Sequence, residues 1–137
     1  MATKKQPITE EEVLRRLREI CLALPEVRET TTFGHPTFQV KGKTFVVLEE
    51  YKGELSICVG VGKLTQELFL QDPRFYRTPY VGHRGWVSLK VHSAPLNWRE
   101  IRELAIGSCE VAQQGVRGRR PSRKSAKTAS KGPDRSS

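Results

Sequence analysis

Apolar and polar positions along this chain repeat with two periods, and the switches between them mark the elements. From Glu10 to Leu24 the apolar residues Val13, Leu14, Leu17, Ile20, Cys21 and Leu24 recur at three-to-four spacing, one stripe on a helix. Thr9 is placed as its N-cap, with Glu12 completing a capping box and Ile8 and Val13 set for a hydrophobic staple. Glu10, Glu11 and Glu12 suit the positive helix start, and Pro25 ends the element. The period then becomes two. Thr37-Phe38-Gln39-Val40 and Thr44-Phe45-Val46-Val47-Leu48 flank Lys41-Gly42-Lys43, which predicts a β-hairpin with Gly42 at the turn. Tyr51-Lys52-Gly53 turns the chain into a strand over Glu54–Val61, where Leu55, Ile57, Val59 and Val61 alternate, so one face is buried and the other is not.

Leu64 to Asp72 predicts a short helix with Leu64, Leu68 and Phe69 inward, stopped by Asp72-Pro73. Phe75 to Val81 reads as extended and irregular, and Gly82-His83-Arg84-Gly85 turns into a last strand over Trp86–Val91. The closing helix repeats the start signals of the first: Asn97 as N-cap, Glu100 at the third helical position, and Leu96 with Ile101 as staple. Its inward face is Trp98, Ile101, Leu104, Ala105, Ser108 and Ala112, and Gly115 is its expected stop. The order is helix, four strands, short helix, one or two strands, helix. Strands joined by hairpins with helices around them specify an α+β fold, an antiparallel β-sheet packed with N- and C-terminal helices.

Composition changes this picture at the ends. The chain of 137 residues carries a formal charge of +9, but from Val116 onward eight Lys/Arg stand against one acid, while the remainder holds 16 basic and 14 acidic residues. The folded part is therefore nearly neutral. Residues 1–8 and the basic tail over 116–137 hold too few large apolar side chains to offset ordering entropy and are expected to be disordered, leaving 9–115 as the domain. Cys21, Cys58 and Cys109 lie far apart on apolar positions, which suits buried free thiols in a reducing cytoplasm rather than a disulfide framework. No apolar run approaches the ~20 residues of a membrane span, and the first residues lack the apolar core of a signal peptide.

Candidate chemistry centres on Phe33-Gly34-His35-Pro36. Pro36 disfavours helical backbone at His35, and Gly34 permits a tight bend, so the imidazole is presented at a fixed place beside a strand mouth. Functionally it would be an acid/base or ligand contact; structurally its ring would bond backbone and brace the bend. Lys41 and Lys43 at the hairpin tip, with Arg84 and Lys90 around Trp86, form a basic set with an interleaved aromatic, as phosphate-binding surfaces do, although hairpin tips are commonly charged because they are solvated. Arg117, Arg119, Arg120, Arg123 and Lys124 form a dense cationic run suited to salt-dependent, sequence-independent binding, or to a solubilising appendage. Gly60-Val61-Gly62-Lys63 lacks the remaining spacing of a phosphate loop and reads as a strand-to-helix turn. No catalytic constellation or zinc spacing appears.

With the elements placed, the sequence resembles the MmcQ/YjbR family. The resemblance rests on Leu24-Pro25-Glu26-Val27, Phe33-Gly34-His35-Pro36-Thr37-Phe38, Gly42-Lys43, Tyr80, Gly85-Trp86-Val87-Ser88-Leu89 and the closing helix with Leu104. It covers about residues 9 to 115; Phe33 stands where the family often has Trp, and the basic tail is an addition. The resemblance implies a two-layer CyaY-like sandwich, often labelled DNA-binding. CyaY and frataxin proteins use acidic surface for iron, but here Glu10, Glu11, Glu12 and Glu19 are interrupted by Arg15, Arg16 and Arg18, and Glu12–Arg16 and Glu11–Arg15 pairs would absorb the acids. The expectation is a non-enzymatic protein without metal or cofactor, its oligomeric state left open with a monomer favoured. It would bind DNA through the tail and hairpin face; the alternative is a small-molecule or protein-partner module with a pocket around Phe33, His35 and Trp86.

Overall fold

A computed structural model describes residues 7–93 and 95–117. The elements run α1 (Glu10–Cys21), β1 (Val27–Thr32), β2 (His35–Val40), β3 (Lys43–Tyr51), β4 (Glu54–Gly60), α2 (Lys63–Leu70), β5 (Phe75–Arg77), a 3₁₀ turn (Gly82–Arg84), β6 (Trp86–Lys90) and α3 (Trp98–Arg117). The strands form one open antiparallel sheet in the order β1-β2-β3-β4-β6-β5, so the α+β architecture is as expected. Among the described residues no helix is long and apolar enough to cross a membrane.

Three two-residue turns set the register of the first four strands. Each places a non-glycine residue and then glycine at positive φ: Phe33 and Gly34 at 51° and 81°, Lys41 and Gly42 at 52° and 79°, Lys52 and Gly53 at 52° and 83°. That pair of left-handed residues twists the chain in the sense the flanking strands need. Between β2 and β3 the register shifts: Phe38 faces Val46 but Gln39 faces Thr44, so Phe45 is left over as a bulge. A bulge interrupts strict alternation, and Phe45 and Val46 are consecutive yet both buried.

One sheet face carries Phe38, Val40, Val46, Leu48, Ile57, Val59, Val87 and Leu89 against Val13, Leu17 and Cys21 of α1 and Ile101, Leu104, Ala105 and Cys109 of α3. Each fully buried Leu, Ile, Val or Phe stabilises by about 1.5–3 kcal/mol. The helix starts follow the sequence in part. The Glu12 amide donates to Thr9 Oγ1 at 3.2 Å, and Asn97 Oδ1 accepts from the Arg99 and Glu100 amides at 3.0 and 3.2 Å. Neither capping box closes, because Glu12 is drawn to Arg15 and Glu100 to Arg74. The surface pairs of α1 also differ from expectation: Arg15 takes Glu12 and Glu19, while Arg16 stacks over Trp98. Its C-cap is Leu22, ahead of Pro25, and α3 runs past Gly115 to Arg117. Ile8 is half-buried against the core, and its carbonyl bonds His92 Nε2 at 2.9 Å. The expected disorder of residues 1–6 and of the tail beyond Arg117 lies outside the described residues.

α2 corrects the predicted inward face. Leu64 and Leu68 are 96% and 68% exposed, and the buried residue is Gln66, beside half-buried Phe69 and Leu70. Two apolar rows compete on a helix of eight residues, and periodicity cannot rank them. Packing does: Phe69 meets Phe75 at 5.2 Å, and the Gln66 amide nitrogen donates to the carbonyls of Gly82 and Trp86 at 2.7 and 3.0 Å.

Gly85 joins this corner. It sits at φ +91°, its carbonyl accepts from the Val61 and Gly62 amides at 3.0 and 3.1 Å, and an added Cβ would lie 2.5 Å from the Gly62 carbonyl carbon. Gly85→Ala should therefore cost about 3 kcal/mol, the left-handed penalty plus displaced backbone, read as a lowered denaturant midpoint. An unchanged midpoint would refute the close approach.

Candidate functional site

The face of the sheet away from α1 and α3 is built of small and polar side chains. Cross-strand pairing lines up Thr30, Thr37, Val47, Cys58, Ser88 and Tyr76 in one row across all six strands. The sequence alternation predicts this face to be open, yet its centre is closed: Thr37, Ser56, Cys58 and Ser88 are fully buried or nearly so. The groups satisfy one another. Cys58 Sγ and Ser88 Oγ share a hydrogen bond at 3.2 Å, Ser88 Oγ meets Thr78 Oγ1 at 2.9 Å, and Ser56 Oγ meets the Tyr76 hydroxyl at 3.0 Å.

Larger side chains stand around this floor and border a groove of about 1140 Å³, which reaches past the sheet end to Ser108, Val111 and Ala112 of α3. Phe33 and His35 come from the β1–β2 hairpin, Tyr51 from the end of β3, and Thr78, Pro79 and Tyr80 from the segment after β5. Tyr80 meets Tyr51 edge-on, with ring centroids 6.5 Å apart. Trp86 lies so close over Gly60 that a Cβ there would be 3.0 Å from the indole. Lys43 and Arg84 bring positive charge to the lining, and Glu49 and Glu50 bring negative charge.

The three residues expected to form a pocket, Phe33, His35 and Trp86, all line this groove. Among the described residues the His35 ring has no hydrogen-bond partner; the local brace is Thr37, whose Oγ1 donates to the His35 carbonyl at 3.0 Å. Phe33 is 94% exposed although its φ is 51°. The basic set divides. Lys43 and Arg84 line the groove, Lys41 is drawn to Glu26 at 3.5 Å, and Lys90 is half-buried at the end of β6 outside the lining. Arg117 closes α3, while Arg119, Arg120, Arg123 and Lys124 lie outside the described residues. Tyr51, Thr78 and Cys58 escape a sequence reading of the site, and Tyr80 enters it only through the family resemblance. For Cys58 the signal is the small polar residues between the apolar ones at Ser56, Cys58 and Ser88.

Burial pushes the Cys58 thiol up to about 12 against the small opposing pull of its Ser88 hydrogen bond, and burial likewise pushes Cys21 up to about 12. Both thiols stay protonated at neutral pH, so Cys58 meets the groove as a neutral, weakly polar group. The ordinary thiol value is 9.0. A raised folded-state pKa contributes stability in full below the unfolded value and loses it as pH climbs towards the folded one. Folding free energy should therefore fall between pH 9.0 and about 12, by about 1.4 kcal/mol per pH unit for each thiol. Denaturant melts across that window should show a shallower fall in Cys58→Ala; an identical slope would refute the burial of that thiol.

A family model for YjbR matches residues 22–108. Among solved structures, Deinococcus radiodurans protein DR2400, with a DUF419 domain, superposes with a TM-score of 0.64 at 18% identity, over 85% of this chain and 94% of that one. That likeness carries the fold. No curated protein matches. The family match spans well over half of the chain and includes the hairpin, the groove floor and Trp86: this protein belongs to the YjbR family.

Proposed function

We propose that this protein is a non-enzymatic binding module that takes a small organic ligand with a planar apolar body in the groove beside the polar sheet face. The observation that carries this reading is that Phe33, His35 and Trp86 border a single groove of about 1140 Å³ together with Tyr51 and Tyr80. Pockets of this order suit small molecules, with aromatic walls for apolar area and a few polar groups for orientation. The Thr78 hydroxyl and the His35 ring supply hydrogen bonding, and the lining offers both signs of charge, Lys43 and Arg84 against Glu49 and Glu50.

Phe33 supports the same reading through its cost. An aromatic residue in left-handed backbone at a hairpin tip is strained, and 94% exposure returns little burial energy to offset it. Residues of this kind cluster at ligand clamps. Phe33→Asn should raise stability by up to about 1 kcal/mol, because Asn suits that turn position. The same change should weaken binding of planar aromatic compounds selected by thermal shift on the full chain, by about tenfold, as should Trp86→Ala. Selected compounds indifferent to both changes would overturn the groove as the binding site.

A second reading, DNA binding, is favoured by the eight basic residues against one acid from Val116 onward. On the folded part the support is thinner: Glu49 and Glu50 stand in the lining beside Lys43 and Arg84, and Lys41 faces Glu26. In this reading phosphate affinity belongs to the tail. Duplex binding by the full chain should fall steeply with salt, about 0.9 log units per log unit of salt for each phosphate engaged, and should vanish in a chain ending at Arg117. Undiminished binding by the shortened chain would move the nucleic-acid surface onto the domain.

A further inference from the structure

At the other end of α3 from the groove, α1 and the start of α3 border a second cleft of about 370 Å³, lined by Arg16, Glu19, Ile20, Trp98, Arg99 and Arg102. Three guanidinium groups border it. Arg99 and Arg102 are one turn apart on α3, and Arg16 faces them from α1. Elsewhere among the described residues Arg15, Arg18, Arg74 and Arg77 each hold a carboxylate, while Arg28 and Arg84 stand singly, away from other arginines that lack one. Among the described residues Arg16, Arg99 and Arg102 hold none. Glu19, the single acid in the lining, is already engaged by Arg15 at 2.9 Å. Like charges gathered at one cleft repel one another, and an anion between them relieves that cost.

Two further features prepare the cleft. The Arg16 guanidinium lies 4.7 Å from the centre of the Trp98 ring, which restrains a long side chain before any ligand arrives. The cleft also sits at the N-terminal end of the 20-residue α3, where the helix dipole favours negative charge. The amides of Arg99 and Glu100 are occupied by Asn97 Oδ1, so the side chains, rather than the helix end, would be the ligands. Guanidinium forks match the oxygens of a phosphoryl group, two donors to two acceptors.

We propose that Arg16, Arg99 and Arg102 form an anion site that takes a phosphoryl group, independent of the sheet-face groove. The phosphoryl group can belong to a small phosphorylated molecule or to a nucleic-acid backbone. The test is calorimetric titration of the full chain at fixed ionic strength, with pyrophosphate and then with a short DNA duplex as probes. Arg99→Gln/Arg102→Gln removes two exposed ligands without touching the core. Arg28→Gln/Lys63→Gln removes the same net charge away from the cleft and leaves the basic tail in place. Pyrophosphate should bind the unaltered protein saturably, the cleft variant about 100-fold more weakly, and the control variant nearly as the unaltered protein does. Duplex binding weakened in the cleft variant and retained in the control would identify backbone phosphate as a source. Selective loss with pyrophosphate alone would identify a small phosphorylated molecule. Absent saturable binding of either probe, or equal losses in the two variants, would overturn the proposal.

Discussion

Strand register is the constraint on which the rest of this structure depends. Side chains alternate between the two sheet faces with a period of two, so a slip of one residue would exchange the apolar face for the polar one. The two-residue turns at Phe33-Gly34, Lys41-Gly42 and Lys52-Gly53 leave no slack for such a slip across the first four strands. Their geometry sends Val46, Leu48, Ile57 and Val59 towards the helices and Val47 and Cys58 towards the groove. Core and groove are thus two outcomes of one pairing pattern. The bulge at Phe45 is the local departure that lets two neighbouring residues serve the core together.

What the sequence revealed, and what it withheld, follows from how local each determinant is. Thr9 and Asn97 could be recognised as caps because a cap is satisfied within three residues of itself. The X-Gly turns were visible because left-handed backbone selects glycine. The inward face of α2 was hidden, since it depends on Gln66 reaching two carbonyls around Gly82 and Trp86, 16 and 20 residues away. β1 was faint for another reason: VRETTT holds almost no apolar residue, and Glu29 is tied to Arg18 of α1 by two hydrogen bonds. Within the groove, Phe33, His35 and Trp86 stood out as unusual residues beside glycines. Tyr51 and Tyr80 became partners through the path of the chain after β5.

Charge is distributed with the same dependence on tertiary context. A near balance of acids and bases in the folded part conceals arginines in very different settings. Arg74 is clamped between Glu100 and Asp72: the hydrogen bonds it donates to Glu100, and then to Asp72, raise its already high pKa, and those it donates to Asp72 hold that carboxyl below the usual range. Lys41 spends part of its charge on Glu26. Arg16 is held by an aromatic ring instead of a carboxylate. Composition alone could not separate these, because each depends on which element packs against which.

The strand order carries a further consequence, for association between copies of the sheet. Its two outer strands are β1, made of charged residues and threonines, and β5, only three residues long. Unpaired strand edges invite another chain to add itself, and short or polar edges are the usual deterrents. The long apolar strands β3 and β4 lie inside, hydrogen-bonded on both sides. Growth of the sheet by edge addition is discouraged at both ends, so six strands can pair side by side without the fold becoming a template for aggregation.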